Sequence, residues 1–308
     1  MNYPLCPITG EPAVRHVQWI KARFLIDLWR YSLGVDARPS FGAEERFGLW
    51  ESPTGLYFFD PMIEGDREFY TQFYSRILRR GLWSRDCVRR EFELAAAKVN
   101  AGDHVLDVGC GFAEFRRLIP QAEYTGIDPH FAEGSGVENV SNQTLRDHLV
   151  EREAFYGVVC AFQVLEHLRS PAEAFADMVR AARPGGLLIV GVPHVPSALT
   201  RIPNHLMNAP PHHLSWWTRG ALAALAERNG ATVCDIEHVP WGACDALFYW
   251  MERCSPIRCG DVFYRNRVSW HAAAIVGFLA GRLAHAVRKT PVTTDEGAGL
   301  LMTARRGS

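Results

Sequence analysis

Apolar residues in the middle of this chain fall in short unbroken runs. Val105, Leu106 and Val108, then Gly157 to Phe162, then Leu187 to Val192 each read as a strand. Runs that are apolar on both faces belong to a parallel sheet covered by helices. Helical spacing fills the gaps between them. Phe69, Tyr70, Phe73, Tyr74 and Ile77 share one face of a helix predicted from Asp66 to Arg80, and a second helix runs from Ser84 to Val99 with Val88, Phe92 and Ala95 inward. Ser170-Pro171-Ala172-Glu173 has the form of a capping box with Pro at the first helical position, Phe175, Met178, Val179 and Ala182 follow at helical spacing, and Arg183-Pro184-Gly185-Gly186 ends the helix. Thr218 caps a further helix that turns Leu222, Leu225 and Ala226 inward and stops at Gly230; Ala231 to Val239 reads as the next strand. Strands alternating with helices predict an α/β fold on a parallel sheet.

The flanks read differently. Residues 1–66 are rich in aromatics and turn residues without a clear period, so residues 1–82 form an appendage with a lid helix and 83–308 the main domain. Residues 241–292 read as a mostly helical insertion, and Leu300 to Ala304 as a last strand. The longest uncharged apolar stretch, Ala272 to Gly281, is too short to span a bilayer. Carried on to Val287 through Arg282 and His285, it suits a packed helix, a homodimer contact or a helix on a membrane surface.

Composition narrows the partners. A net charge of −1 over 308 residues argues against extended contact with nucleic-acid phosphates. No signal peptide opens the sequence. The eight cysteines are scattered, with Cys110 and Cys160 inside the core runs, and read as reduced thiols in a cytoplasmic protein.

Candidate chemistry gathers after the first strand. Val105-Leu106-Asp107-Val108-Gly109-Cys110-Gly111 is followed by Gly126-Ile127-Asp128. Gly109 and Gly111 allow a sharp turn and close approach of a ligand to the main chain. A helix over about 113–118 would aim its N-terminus at that ligand. Asp128, at the tip of the second strand, can accept hydrogen bonds from both ribose hydroxyls of a nucleoside. Ala113 and Glu114 stand where a dinucleotide fingerprint carries its third glycine, and a carboxylate at Asp107 would repel a pyrophosphate. An amino group and a sulfonium cation suit it better.

Asp107-Val-Gly-Cys-Gly111 resembles motif I of the class I S-adenosylmethionine (SAM) methyltransferases. Gly157 to Phe162 followed by Gln163-Val164-Leu165-Glu166-His167 is similar to the strand-four signature of the ubiquinone-biosynthesis O-methyltransferase type, which also shares the Leu/Ala-Arg-Pro-Gly-Gly turn seen at Arg183 to Gly186. The resemblance covers roughly residues 85–240. It implies a Rossmann-like, doubly wound, seven-stranded sheet in which the last strand returns antiparallel between the fifth and sixth. It implies SAM as cofactor and S-adenosylhomocysteine as product, held by Asp107, Gly109, Cys110, Gly111, Asp128, Pro129, Phe162 and Gln163. Asn142, Gln143 or Thr144 would meet the adenine, and the helix before the first strand would cover the pocket. Cys6-Pro-Ile-Thr-Gly10 and the segment from Glu51 to Gly55 resemble the knuckles of a zinc ribbon found before deoxysugar C-methyltransferase domains. The ligand positions read Cys6, Thr9, Glu51 and Thr54, a set that cannot hold structural zinc.

The acceptor side is sought in residues 193–217, a Pro-punctuated loop leaving a strand's carboxyl end. Its His212 and His213, together with His167, are the candidate bases, or substrate ligands, for an acceptor that must lose a proton. Trp216 and Trp217 could wall an aromatic acceptor. His194, His205, His212 and His213 lack a metal-site spacing, so no metal is assigned. The expected activity is methyl transfer to a small-molecule oxygen of a secondary metabolite, quinone or sugar. C-methylation and a non-catalytic partner protein on the same fold are the alternatives.

Overall fold

The computed structural model describes residues 3–82, 87–130, 138–288 and 297–307. Residues 15–60, where the sequence shows no clear period, fold into β1 (Arg15–Lys21), α1 (Ala22–Leu33), the single turn α2 (Arg38–Phe41), β2 (Arg46–Glu51) and β3 (Tyr57–Asp60). The three strands pair antiparallel. α1 buries Leu25, Leu28, Trp29 and Leu33, and Gly34, in the left-handed conformation, ends it by donating its N–H to Arg30 O. α3 (Arg67–Arg79) begins where Asp66 accepts the Phe69 N–H at 2.8 Å.

The main sheet follows. In chain order come α4 (Arg90–Ala96), β4 (His104–Val108), β5 (Glu123–Ile127), β6 (Val140–Ser141), α5 (Leu145–Arg152), β7 (Tyr156–Phe162), α6 (Pro171–Ala181), β8 (Ala182–Pro193), α7 (Ala198–Arg201), β9 (Ser215–Trp216), α8 (Arg219–Arg228), β10 (Ala231–Val239), α9 (Ala246–Cys254), α10 (Val268–Val287) and β11 (Gly299–Arg306). Seven strands lie in the order β10-β11-β8-β7-β4-β5-β6. The run from β8 to β6 is parallel, and β11 is antiparallel to both β8 and β10, as the resemblance implies. Every residue of the central strand β7 is buried, which is why its run carries no polar alternation.

Local expectations fail in four places. β8 begins at Ala182, so Arg183 to Gly186 lie within the strand instead of forming a turn ahead of Leu187. The helix expected over 113–118 is only a 3₁₀ turn, Phe115–Leu118, because Ala113 sits at φ 55° and breaks the helical path. The helix expected from Ser84 to Val99 is described only from Arg90 to Ala96; Ser84 to Asp86 lie outside the described residues, and Val88 is exposed rather than inward. Ser170 makes no capping bond, and Pro171 starts α6 instead.

The appendage is not a separate layer. β9 comes from the 193–217 loop and pairs with β3, closing a four-stranded sheet. Trp50, Leu56 and Phe58 pack in the same apolar cluster as Leu106, Val159 and Trp217. Cys6 is buried there, and Glu51 pairs with Arg15 at 2.7 Å. A second cluster joins Trp29, Phe47, Phe69, Phe73 and Trp216.

The expectation of eight reduced thiols fails at one pair. Cys87 and Cys244, with Cα atoms 5.7 Å apart, form a disulfide across 157 residues of sequence, a proximity no local spacing could signal. Unreduced, denatured protein should titrate with six thiols, the six cysteines that remain free. A count of eight would place the pair in the dithiol form.

Candidate active site

β4, β5 and β7 all end at one edge of the sheet, and a cavity of about 1830 Å³ opens there. Its wall includes Gly109, Cys110 and Gly111 after β4, Asp128 and Pro129 after β5, and Phe162 and Gln163 after β7. The glycine turn is pinned at its base, since Gly109 and Cys110 both donate their N–H groups to Ile127 O, at 2.8 and 3.1 Å. Gly109 has φ 68°, and a Cβ there would lie 2.6 Å from Val164 Cγ2. Only glycine meets both demands. Asp128 faces this turn. One carboxylate oxygen accepts the Gly111 N–H at 3.0 Å and the other the His130 N–H at 2.8 Å. Each oxygen keeps a lone pair for a ligand.

Asp107 behaves differently from its expected role. It is buried behind the turn and is not part of the cavity wall. Its carboxyl accepts the Tyr124 hydroxyl at 2.8 Å and a weak contact from the Cys160 thiol at 3.7 Å. Burial pushes it up to about 7, against the pull of the Tyr124 hydrogen bond. The structure therefore removes Asp107 from direct ligand contact: on the pleated strand its side chain points back toward β5 and β7, not out of the strand tip. Asn142, Gln143 and Thr144 also lie off the cavity wall. Gln143 bonds Ser141 and His148, and Thr144 caps α5.

On the opposite side stand the three candidate histidines. His167, from the turn after β7, and His212 and His213, from the loop before β9, all line the cavity. Their ring centroids are 4.6 to 4.8 Å apart, with His212 and His213 stacked. One ring nitrogen from each falls within 4.8 Å of the others. The His167 Nδ1–H donates to the main-chain oxygen of His212, which leaves Nε2 with the free lone pair. Burial lowers all three, His167 to about 4, and neighbouring imidazoles lower His212 and His213 further. They are neutral near pH 7.

Sequence reasoning passed over Glu166. It is fully buried, both carboxyl oxygens lack a hydrogen-bond partner among the described residues, and burial raises it to about 8. One oxygen lies 3.9 Å from His167 Nε2 and 4.0 Å from His213 Nε2. The signal was there, next to His167 in the sequence, but a Glu after two apolar residues also suits a helix start.

The aromatic stripe of α3 divides. Phe69, Phe73 and Ile77 are buried, with Phe69 and Phe73 against Trp29, and of the stripe only Phe69 is absent from the cavity wall, which Tyr70, Phe73, Tyr74 and Ile77 line. Tyr70 lies against both His167 and His212, with ring centroids 6.2 and 6.1 Å away. Trp216 and Trp217 are buried away from the cavity, so they wall no acceptor; Trp216 donates to Asn208 O at 2.8 Å.

Comparison with known proteins places these features. The family model for methyltransferase domains matches residues 79–236. The ubiquinone biosynthesis O-methyltransferase of Maricaulis maris is 29% identical over 117 residues, covering 34% of this chain and 46% of that protein. Its counterpart in Hahella chejuensis is 31% identical over 160 residues, covering 42% and 67%. The chain thus spans about half the length of the curated relatives it matches. Among solved structures, the 1,6-didemethyltoxoflavin N1-methyltransferase of Burkholderia thailandensis aligns over 87% of this chain and 97% of its own, at 15% identity and a TM-score of 0.49.

Proposed function

The chain belongs to the methyltransferase-domain family, and from that premise we propose that it moves the methyl group of SAM to an oxygen of a small-molecule acceptor. The observation that carries this reading is Asp128 at the β5 tip, hydrogen-bonded to the glycine turn and lining the cavity beside it. Asp128 would hold the ribose hydroxyls of SAM, Gly109, Cys110 and Gly111 would meet the cofactor with their main chain, Pro129 would border the nucleoside, and Phe162 and Gln163 would flank the thioether. Asp107 supports the turn from behind and acts on the cofactor through its charge.

The acceptor lies between this pocket and His167, His212 and His213. SAM, when bound, would supply an electrophilic methyl carbon with its thioether as leaving group, and a ring nitrogen of these histidines would take the acceptor's hydroxyl proton. His213 is the favoured base. Among the described residues its Nδ1 has no hydrogen-bond partner, and the buried Glu166 carboxyl, which its surroundings hold mostly protonated at neutral pH, stands on its Nε2 side. Alignment in a water-poor pocket supplies much of the remaining rate. A cytoplasmic location fits the cofactor supply.

Thermal shift tests the cofactor. SAM and S-adenosylhomocysteine should raise Tm and NAD should leave it unchanged. Stabilisation by NAD alone would reassign the pocket to a dinucleotide. His213→Ala should lower kcat about 100-fold with SAM affinity intact, and unchanged turnover would remove the base. A chelator arm separates direct engagement of the acceptor from engagement through a cation held at the three nitrogens: turnover lost to chelation and restored by zinc would replace the base with a metal.

A further inference from the structure

α10 has two apolar faces, and among the described residues only one of them is packed. The inner face, Trp270, Ala273, Gly277 and Gly281, is buried and packs on α9. A Cβ on Gly281 would come within 2.9 Å of Met251 N, so small residues set this close contact. The outer face carries Val268, Ile275, Val276, Leu279, Leu283 and Val287, each between 48% and 85% exposed. These positions recur at helical spacing and form one stripe along the whole 20-residue helix. Single exposed aliphatic residues are ordinary, but a continuous bulky stripe marks an interaction surface.

Two observations choose the occupant. The first is charge. No Asp or Glu lies between Val268 and Val287, while Arg267, Arg282 and Arg288 stand at the helix ends and edge. An isologous contact that packed the helix antiparallel on its copy would set Arg267 of one protomer against Arg288 of its partner. An anionic surface satisfies them. The second is continuity with the cavity. Ile275, Phe278 and Leu279 of α10 and Phe24, Leu28 and the exposed Tyr31 of α1 belong to the wall that holds Gly109 and Asp128. The cavity therefore reaches the outer stripe. At about 1830 Å³ it exceeds the roughly 300–1,000 Å³ of an ordinary small-ligand site. No described helix is long and apolar enough to cross a membrane.

We propose that α10 lies on the surface of an anionic lipid bilayer, its outer stripe among the acyl-chain ends and its arginines at the headgroups, so that an acceptor with a long apolar tail enters the cavity between α1 and α10. The substrate class rests on the methyl-transfer reading of the cavity; the docking surface does not. Aliphatic burial supplies the binding and the arginines supply the preference for anionic lipid.

Flotation of the full chain with vesicles tests this. The protein should rise with phosphatidylcholine vesicles containing phosphatidylglycerol, about 10-fold more than with phosphatidylcholine alone at low salt. Leu283→Glu combined with Val287→Glu should abolish flotation. Neither residue lines the cavity, so SAM affinity measured by calorimetry should not change. Arg288→Glu, a milder change at an exposed site, should weaken flotation and raise its salt sensitivity. Wild-type protein that stays behind with anionic vesicles at low salt overturns the proposal. So does a dimer, seen by light scattering, that the double substitution dissolves, because a second copy would then own the stripe. Flotation without SAM binding would leave the docking surface standing and sink the methyl-transfer reading.

Discussion

Asp128→Ala should weaken SAM binding by about 100-fold or more, the largest effect expected from any single cofactor contact. Two ribose hydroxyls lose a shared carboxylate, and charge-assisted hydrogen bonds contribute roughly 1.5–3 kcal/mol each. Losing two amounts to at least ~3 kcal/mol, and every 1.4 kcal/mol is tenfold. The side chain also accepts the Gly111 and His130 N–H groups, so its removal frees both main-chain donors at the pocket rim. Asp128→Asn should fall between the two, because its amide keeps one acceptor and loses the charge. Calorimetric titration with SAM reads both variants. Wild-type affinity in Asp128→Ala would remove the ribose assignment, while equal losses of SAM affinity and Tm would reassign Asp128 to holding the turn.

What could be read from the sequence followed from periodicity and from turn chemistry. The buried strands β4, β7 and β8 announce themselves as apolar runs, whereas the five-residue run at Leu300 to Ala304 reads only as a strand and its place between β8 and β10 is what the family resemblance implies. Gly109, Gly111 and Asp128 were legible because each occupies a position that few other residues could fill. Direction was harder. Asp107 lies in the right motif, yet its side chain turns into the protein, which only strand register decides. Trp216 and Trp217 share this failing, since a loop sequence does not say which face of β9 meets the core. α1 was overlooked although Leu25, Leu28, Trp29 and Leu33 carry a helical spacing, because aromatics and turn residues on either side obscured it. Pairing across long separations left no local signal at all. The Cys87–Cys244 bridge, the β3–β9 contact and the meeting of Tyr70 with the histidines are of this kind.

Asp107 should make the stability of the protein fall as pH rises from about 4 to about 7 and level off above. Burial raises its carboxyl from an ordinary 3.8 to about 7, so the folded state holds the proton more tightly than the unfolded chain does. Below the unfolded value both states are protonated and the contribution is fully present. Between about 4 and 7 the unfolded chain ionises first, and each pH unit removes about 1.4 kcal/mol from folding, roughly 4 kcal/mol in all. Asp107→Asn keeps the shape and an acceptor for Tyr124 but cannot ionise. It should match the wild type near pH 4 and exceed it by about 2–4 kcal/mol near pH 8 in denaturant melts. A cation in the cavity should reverse part of this penalty. Arg89, on the cavity wall, already favours the ionised form of Asp107 electrostatically, and the sulfonium and ammonium groups of SAM would act in the same sense. SAM should therefore raise the Tm of the wild type more at pH 8 than at pH 6, and the variant should show no such difference. A stability gap between wild type and variant that stays constant across this range would mean that Asp107 does not titrate there, and that its charge plays no part in gripping the cofactor.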